Sequence, residues 1–178
     1  MKNLVHNREI SIRTSDLGDH IILVEGSLID HRYRPRHTET SEQSELVHHM
    51  VIRLKVYGPE MLIVQAEATM PHHPRVECPE MLPSIQNLEG LGITPGYSMK
   101  VKRAIGGTKG CAHLTSLVIA MGESAVQGYW AAYEAERVKK GLREQTIKKF
   151  INTCHLWKED GPIVKGLRET FESQDSSE

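Results

Sequence analysis

The feature that most constrains this fold is a pair of alternating segments separated by a tight turn. Residues 46–57 (LVHHMVIRLKVY) and 60–70 (EMLIVQAEATM) place apolar side chains at every second position over most of their length. A two-residue period is typical of half-buried strands. The Gly58-Pro59 pair between the segments therefore predicts an antiparallel β-hairpin.

The phase of the hairpin predicts which side chains face the core. The predicted core-facing residues are Met50, Ile52, Leu54 and Val56 in the first strand, and Leu62, Val64, Ala66, Ala68 and Met70 in the second. His48 shares the phase of the first set, whereas His49 points to the other face. His72 continues the phase of the second set. Because an antiparallel strand begins beside the end of its partner, His48 and His72 are predicted at the same end of the sheet.

Two strands are predicted before the hairpin and helices after it. Residues 9–14 and 20–33 also alternate, and Gly26-Ser27 interrupts the second segment, which indicates a bulge. After Met70 the apolar spacing becomes helical: a short helix ends at Gly90, another spans about 99–104, and a long one starts at Cys111. Strands followed by helices predict an α+β fold, an antiparallel sheet with helices packed on one face.

Composition indicates a globular chain and excludes some partners. The 178 residues are 39% hydrophobic and 25% charged, with a net charge of −1. We predict one domain, 1–178, with its core at about 8–157 and a disordered tail at 172–178. A basic run and a long apolar run are both missing from the sequence, which argues against nucleic acid and membrane partners. Three scattered cysteines and no apolar signal segment predict the cytoplasm.

Cysteines and histidines supply the candidate chemistry. Cys78 and Cys111 each lead into a predicted helix. If both helices begin at the same end of the sheet, their thiols approach the two hairpin histidines. His113 follows two positions after the second thiol. The predicted metal site comprises His48, His72, Cys78, Cys111 and His113. Thiolate and imidazole are ligands of zinc and of iron, and the sequence leaves both open.

The stretch GGTKGCAHL around Cys111 has other interpretations. It lacks the G-x-x-x-x-G-K motif of a phosphate-binding loop. Cys111 could act as a nucleophile with His113 as its base, because a helix N-terminus favours the thiolate. The glycines could also form a flexible turn that feeds a core helix. Elsewhere, the spacing around Cys154 predicts a packed core residue. Asp30, His31, Arg32 and Arg34 could bind an anionic substrate or a partner chain, or could form a solvated strand end.

Two family resemblances add to these patterns. The segments VEGSLIDHRY, HHMVIRLKV, EATMPHHP, CPEM and GCAHLTSLV resemble a bacterial family catalogued as domain of unknown function 2889, over most of residues 20–155. The order of a hairpin and two cysteine-led helices is similar, more distantly, to iron–sulphur cluster scaffold proteins of the IscU/NifU type. In that comparison His48 falls where the scaffold family has an aspartate, and Cys78 and Cys111 lead the two helices.

The scaffold resemblance implies an IscU/NifU-like fold and a metal near His48, Cys78 and Cys111. The hairpin cysteine of the scaffold family is replaced here by Leu46, so a mononuclear zinc or iron ion is expected in place of a cluster. We therefore predict a small metal-dependent enzyme of hydrolase or lyase type that acts on a small organic substrate. The alternatives are a non-catalytic metal or iron–sulphur carrier that serves a protein partner, and a metal-free binding domain that forms homo-oligomers.

Overall fold

A four-stranded antiparallel sheet forms the larger part of the fold. The computed structural model describes residues 4–33, 44–58, 60–139 and 150–175. The chain divides into two compact units, Met1–Ala132 and Tyr133–Glu178. The first unit contains four strands in the order β1-β2-β3-β4, each antiparallel to the next. Their bounds are β1 His6–Gly18, β2 Ile21–Tyr33, β3 Ser44–Tyr57 and β4 Leu62–His72. The sheet and the helices that follow it confirm the predicted α+β class.

One face of the sheet carries the core. Ile22, Val24 and Leu28 of β2 are fully buried at alternate positions. Met50, Ile52, Leu54 and Val56 of β3 are also buried, which confirms the face predicted for these residues. Burial of this alternating set supplies the main driving force for pairing the strands with the helices.

The face predicted for β4 is wrong at its start because the strand contains a bulge. Val56 pairs with Ile63 while Lys55 pairs with Gln65, so Val64 is an extra residue in the ladder. One extra residue exchanges the two faces of a strand. Consequently Ile63 is fully buried and Val64 is 45% exposed.

A second irregularity moves His72 away from its predicted position. Val51 pairs with Thr69 and His49 pairs with His72, so β4 contributes one more residue than β3 between these pairs. His72 is exposed and lies opposite His49, not opposite His48. The prediction that His72 continues the phase of the buried set is therefore wrong.

The bulge predicted at Gly26-Ser27 is absent from the β1–β2 and β2–β3 ladders, which run through both residues without a shift. Gly26 has a different role. A Cβ at Gly26 would lie 2.6 Å from the sulfur of Met121 and 3.1 Å from a methyl group of Leu117. The missing side chain lets the long helix approach the sheet closely.

Three helical segments begin in the first unit after the sheet. The predicted short helix is a 3₁₀ helix, Cys78–Leu88. Pro83 inside it lacks the N–H group that α-helical pairing requires, whereas Pro79 lies in the first turn, where that group needs no helical partner. Helix α1 spans Tyr97–Ile105 and helix α2 spans Ala112–Lys139. The buried hydrophobic side chains of α2 in this unit are Leu114, Leu117, Val118, Met121, Ala125 and Tyr129, which confirms the predicted helical spacing.

The second unit holds a 3₁₀ turn, His155–Trp157, and helix α3, Pro162–Asp175. The rings of Phe150 and Trp157 lie 5.4 Å apart. Cys154 is exposed, so its predicted core position is wrong: it stands in extended backbone just before the turn. Helix α3 continues to Asp175, four residues into the tail predicted to be disordered; 176–178 lie outside the described residues.

None of the helices in the described ranges combines the length and apolar composition that crossing a bilayer requires.

Candidate functional site

The centre of the candidate site is a carboxylate on the core face of the sheet. Asp30 follows the alternation of Ile22, Val24 and Leu28 along β2, so its side chain points to the buried side. Only 1% of the residue is exposed. A buried carboxylate requires paired charges or hydrogen bonds to offset the loss of water.

Arg8 supplies the strongest of these partners. It lies directly opposite Asp30 in the β1–β2 ladder. Its Nε donates to Oδ1 and its Nη2 donates to Oδ2, both at 2.7 Å. The Arg8 guanidinium lowers the pKa of the Asp30 carboxyl to about 2, and His48 adds to this effect, although burial alone would raise the pKa. Asp30 is therefore an anion at neutral pH.

His48 approaches the same carboxylate from the other neighbouring strand. It is the register partner of Asp30 in the β2–β3 ladder. Its Nδ1 lies 2.9 Å from Asp30 Oδ2, a hydrogen-bond distance. Val47 is the extra residue of a bulge beside this pair, because Asp30 pairs with His48 and His31 pairs with Leu46. Bulges of this kind re-aim side chains next to functional sites.

His113 reaches the carboxylate from the first turn of α2. Its Nε2 lies 3.7 Å from Asp30 Oδ2, and its ring centroid lies 3.9 Å from that of His48. Burial lowers the pKa of His113, and electrostatic repulsion from the neighbouring His48 and Arg8 lowers it further, against the opposing effect of Asp30. A lowered pKa favours neutral imidazole, the form that binds metals.

Cys111 stands beside His113 on the side away from Asp30. Its Sγ lies 3.6 Å from His113 Nδ1. Its carbonyl accepts the backbone N–H of Thr115, so Cys111 is the N-cap of α2. The hydroxyl of Thr115 contacts both this carbonyl and that of Ile105, at 2.8 and 3.0 Å. The end of α1 thus fixes the start of α2.

Three side chains of this cluster form a potential metal-binding set. One ligating atom each from Asp30, His48 and His113 lies within 4.8 Å of the other two. The three residues come from β2, β3 and α2. Imidazole and carboxylate are ligands shared by zinc and non-haem iron sites.

The structure brings together only part of the metal site predicted from sequence. His48 and His113 belong to the set, and Cys111 contacts it through His113. Cys78 and His72 are not members of it. Cys78 begins the 3₁₀ helix and is partly buried, and His72 is exposed on β4.

Asp30 was missed as a ligand and Arg8 was missed entirely. The signal for Asp30 is present in the sequence, since it is in phase with Ile22, Val24 and Leu28 on an apolar face. A bulge at Gly26-Ser27, as predicted, would shift the alternation by one residue and place the Asp30 side chain on the face opposite the core. The predicted bulge is therefore the reason that Asp30 was not identified. Arg8 precedes the alternating segment 9–14, so the predicted strand did not include it.

Fold and site together define an α+β protein with an Asp/His/His cluster on the core face of an antiparallel sheet. The chain belongs to the family described as Protein of unknown function (DUF2889), whose family model matches residues 6–127. Arg8, Asp30, His48, Cys111 and His113 all lie within that range. No curated protein and no solved structure matches the chain.

Proposed function

We propose that the protein is a metal-dependent enzyme whose metal is held by Asp30, His48 and His113. The observation that carries this proposal is the convergence of three ligating atoms, from three separate elements, within 4.8 Å of one another. Ligand atoms on one transition-metal ion lie roughly 3–4 Å apart, so small side-chain rotations would complete the site. Zinc and iron both suit the ligand set.

The surroundings of the set support an enzyme more than a carrier. Two imidazoles and one carboxylate leave coordination positions for water and substrate, which is typical of catalytic sites. Asp30 is buried and His48 and His113 are partly buried, so the ion would be recessed. The alternative is a metal or iron–sulphur carrier with an IscU/NifU-like fold. Such a carrier needs an accessible site with several thiolates, whereas Cys111 is the one described cysteine that adjoins this cluster.

Arg8 has a defined part in this proposal. In metal-free protein the His48 Nδ1 and the Arg8 guanidinium share the Asp30 carboxylate. A metal would replace the His48 contact at Oδ2, while Arg8 would remain and orient the carboxylate as an outer-shell partner. A metal held by these residues would activate water for hydrolysis or polarise a carbonyl for a lyase reaction. The free cysteines favour a cytoplasmic location, because the cytoplasm is a reducing compartment.

The test is metal analysis of protein purified without chelator or affinity tag after growth in metal-replete medium. We expect about one zinc or iron per chain in the parent, and loss of at least about nine-tenths of it in His48→Ala and His113→Ala. His49→Ala is the matched control, because His49 neighbours His48 in sequence but lies on the opposite face. Parent protein without metal, or equal loss in His49→Ala, would refute the proposal.

A second candidate function is nucleophilic catalysis by Cys111. The observation that favours it is a chain of contacts: Cys111 Sγ to His113 Nδ1 at 3.6 Å, then His113 Nε2 to Asp30 Oδ2 at 3.7 Å. In acyl transfer, His113 would accept the thiol proton, sulfur would bond to the acyl carbon, and the leaving group would depart with that proton. Asp30 would orient the imidazole.

Alkylation distinguishes the two candidates. In chelator-treated protein, a nucleophilic Cys111 reacts with iodoacetamide faster than Cys78, and His113→Ala slows it at least about tenfold, as for loss of a general base. Peptide mass spectrometry measures each rate. Equal rates at Cys78 and Cys111, unchanged by His113→Ala, would contradict nucleophilic catalysis by Cys111. A metal-free binding domain, the remaining alternative, predicts neither metal nor enhanced alkylation.

A further inference from the structure

The cluster around Asp30 contains many more nitrogen groups than carboxylates. Arg8, His6, His48 and His113 all approach this one carboxylate, with nitrogen–oxygen distances between 2.7 and 3.7 Å. Across the described residues, these contacts give the cluster one anion and one permanent cation, plus three imidazoles. A single carboxylate cannot satisfy all the N–H donors of such a set.

The donors are open to water while the carboxylate is not. The side chains of His6 and Arg8 are 49% and 37% exposed, whereas that of Asp30 is 2% exposed. Two N–H groups of Arg8 bond to Asp30. A guanidinium has five, so about three remain for another acceptor. Arg8 and His6, the most exposed of the groups that contact Asp30, therefore form a rim of hydrogen-bond donors that includes the permanent positive charge of Arg8.

We infer that the substrate is a small anion, a molecule bearing a carboxylate or phosphate group, whose oxygens bind Arg8 and His6 at the rim of the metal site. This substrate class rests on the proposed function, since the anion would be held beside the ion. Arginine binds planar carboxylates and phosphates through paired N–H groups. The reacting part of the molecule would then lie toward His48 and His113.

Calorimetric titration of chelator-treated protein at low ionic strength tests this inference. The probes are malonate, for a carboxylate, and inorganic phosphate. We expect saturable one-to-one binding of at least one of them. Loss of the charge-assisted hydrogen bonds should weaken it at least about tenfold in Arg8→Gln and about two- to tenfold in His6→Ala. The probe that binds more tightly indicates whether the anionic group of the substrate is a carboxylate or a phosphate.

Arg53→Gln is the matched control, because Arg53 also pairs with a carboxylate across a strand ladder, Glu25, at an exposed site. It should bind the probe as the parent does. His6 is exposed, so His6→Ala decides the matter if Arg8→Gln does not fold. Absence of saturable binding for both probes, or equal weakening in Arg53→Gln, would overturn the inference.

Metal analysis of the same preparations, made before the chelator treatment, separates this inference from the proposed function. Parent protein that carries metal but binds neither anion contradicts only the substrate class. Parent protein that binds an anion through Arg8 and His6 but carries no metal upholds the anion site and contradicts the metal-dependent enzyme.

Discussion

Arg8 and Asp30 face each other across the β1–β2 ladder, and the guanidinium holds both oxygens of the buried carboxylate at 2.7 Å. The contact links an edge strand to the centre of the candidate site. Because Asp30 pairs on its other side with His48, one carboxylate connects three strands. The stability of the sheet and the geometry of the site therefore depend on the same pair.

Arg8→Ala should destabilise the protein by about 2–4 kcal/mol, because it leaves a buried carboxylate with fewer partners. Urea unfolding followed by circular dichroism measures the change. Arg53→Ala removes a similar cross-strand pair with Glu25, but both of its side chains are exposed, so it should cost less than about 1 kcal/mol. Equal losses of unfolding free energy in the two variants would contradict the conclusion that Arg8 offsets the burial of Asp30.

Stability should fall steeply in acid because of Asp30. Its pKa is about 2 in the folded protein, below the ordinary value of 3.8, so the unfolded chain binds the proton first as pH falls. The carboxylate therefore contributes its full stabilisation, roughly 2 kcal/mol, above pH about 4. This contribution is lost as pH falls from about 4 through 2. Urea titrations across that range, with chelator present, measure it.

Asp30→Asn is the comparison for the pH series, since it lacks the titrating group. Its unfolding free energy should be lower than that of the parent at neutral pH and should change less between pH 4 and 2. A variant with the same acid slope as the parent would assign the effect to other carboxylates.

Gly26→Ala should destabilise the protein by about 1–3 kcal/mol, because the added Cβ would meet the buried Met121 and Leu117 side chains of α2. Gly166→Ala is the control, since a Cβ on that helical glycine meets nothing within 4 Å. Alanine should be neutral or stabilising there. Thermal unfolding of both variants measures the difference in stability. An unchanged melting temperature in Gly26→Ala would show that α2 moves away from the sheet at little cost in free energy.

Thr115→Val should lower both the stability of the protein and the metal affinity of the site, although Thr115 is not a member of the Asp/His/His set. The Thr115 hydroxyl contacts the carbonyls of Ile105 and Cys111, and its loss should cost about 1–2 kcal/mol. The start of α2 carries His113, so metal affinity should fall as well. Thr69→Val, on an exposed part of β4, should change neither quantity. Unaltered metal affinity in Thr115→Val would mean that His113 is positioned without this link.

The strands, the long helix and the core face of β3 could all be predicted from sequence because alternation and helical spacing are strong local signals. The bulges could not be predicted. The β4 strand has one extra residue at Val64 and another between Thr69 and His72. A bulge arises from pairing with the partner strand, and the periodicity of a single strand carries no information about that pairing. His72 was therefore assigned to the wrong face.

The site was partly predictable for the same reason. His48 followed from strand phase and His113 from its nearness to Cys111 at a helix start. Asp30 could have been found by asking why a carboxylate shares a phase with Leu28. Arg8 is identified by register alone, since it pairs with a residue 22 positions away. Charge partners at that separation leave no local pattern in a single sequence.

The three members of the Asp/His/His set are far apart along the chain: Asp30 and His48 are separated by 18 positions, and His113 lies on a helix that follows the whole sheet. An unfolded chain therefore holds no preassembled site. Any ion or anion that binds here selects the folded state, and its binding energy is added to the energy of folding. Ligand occupancy and half-life against proteolysis should rise together, which makes digestion rate a convenient screen for the natural ligand.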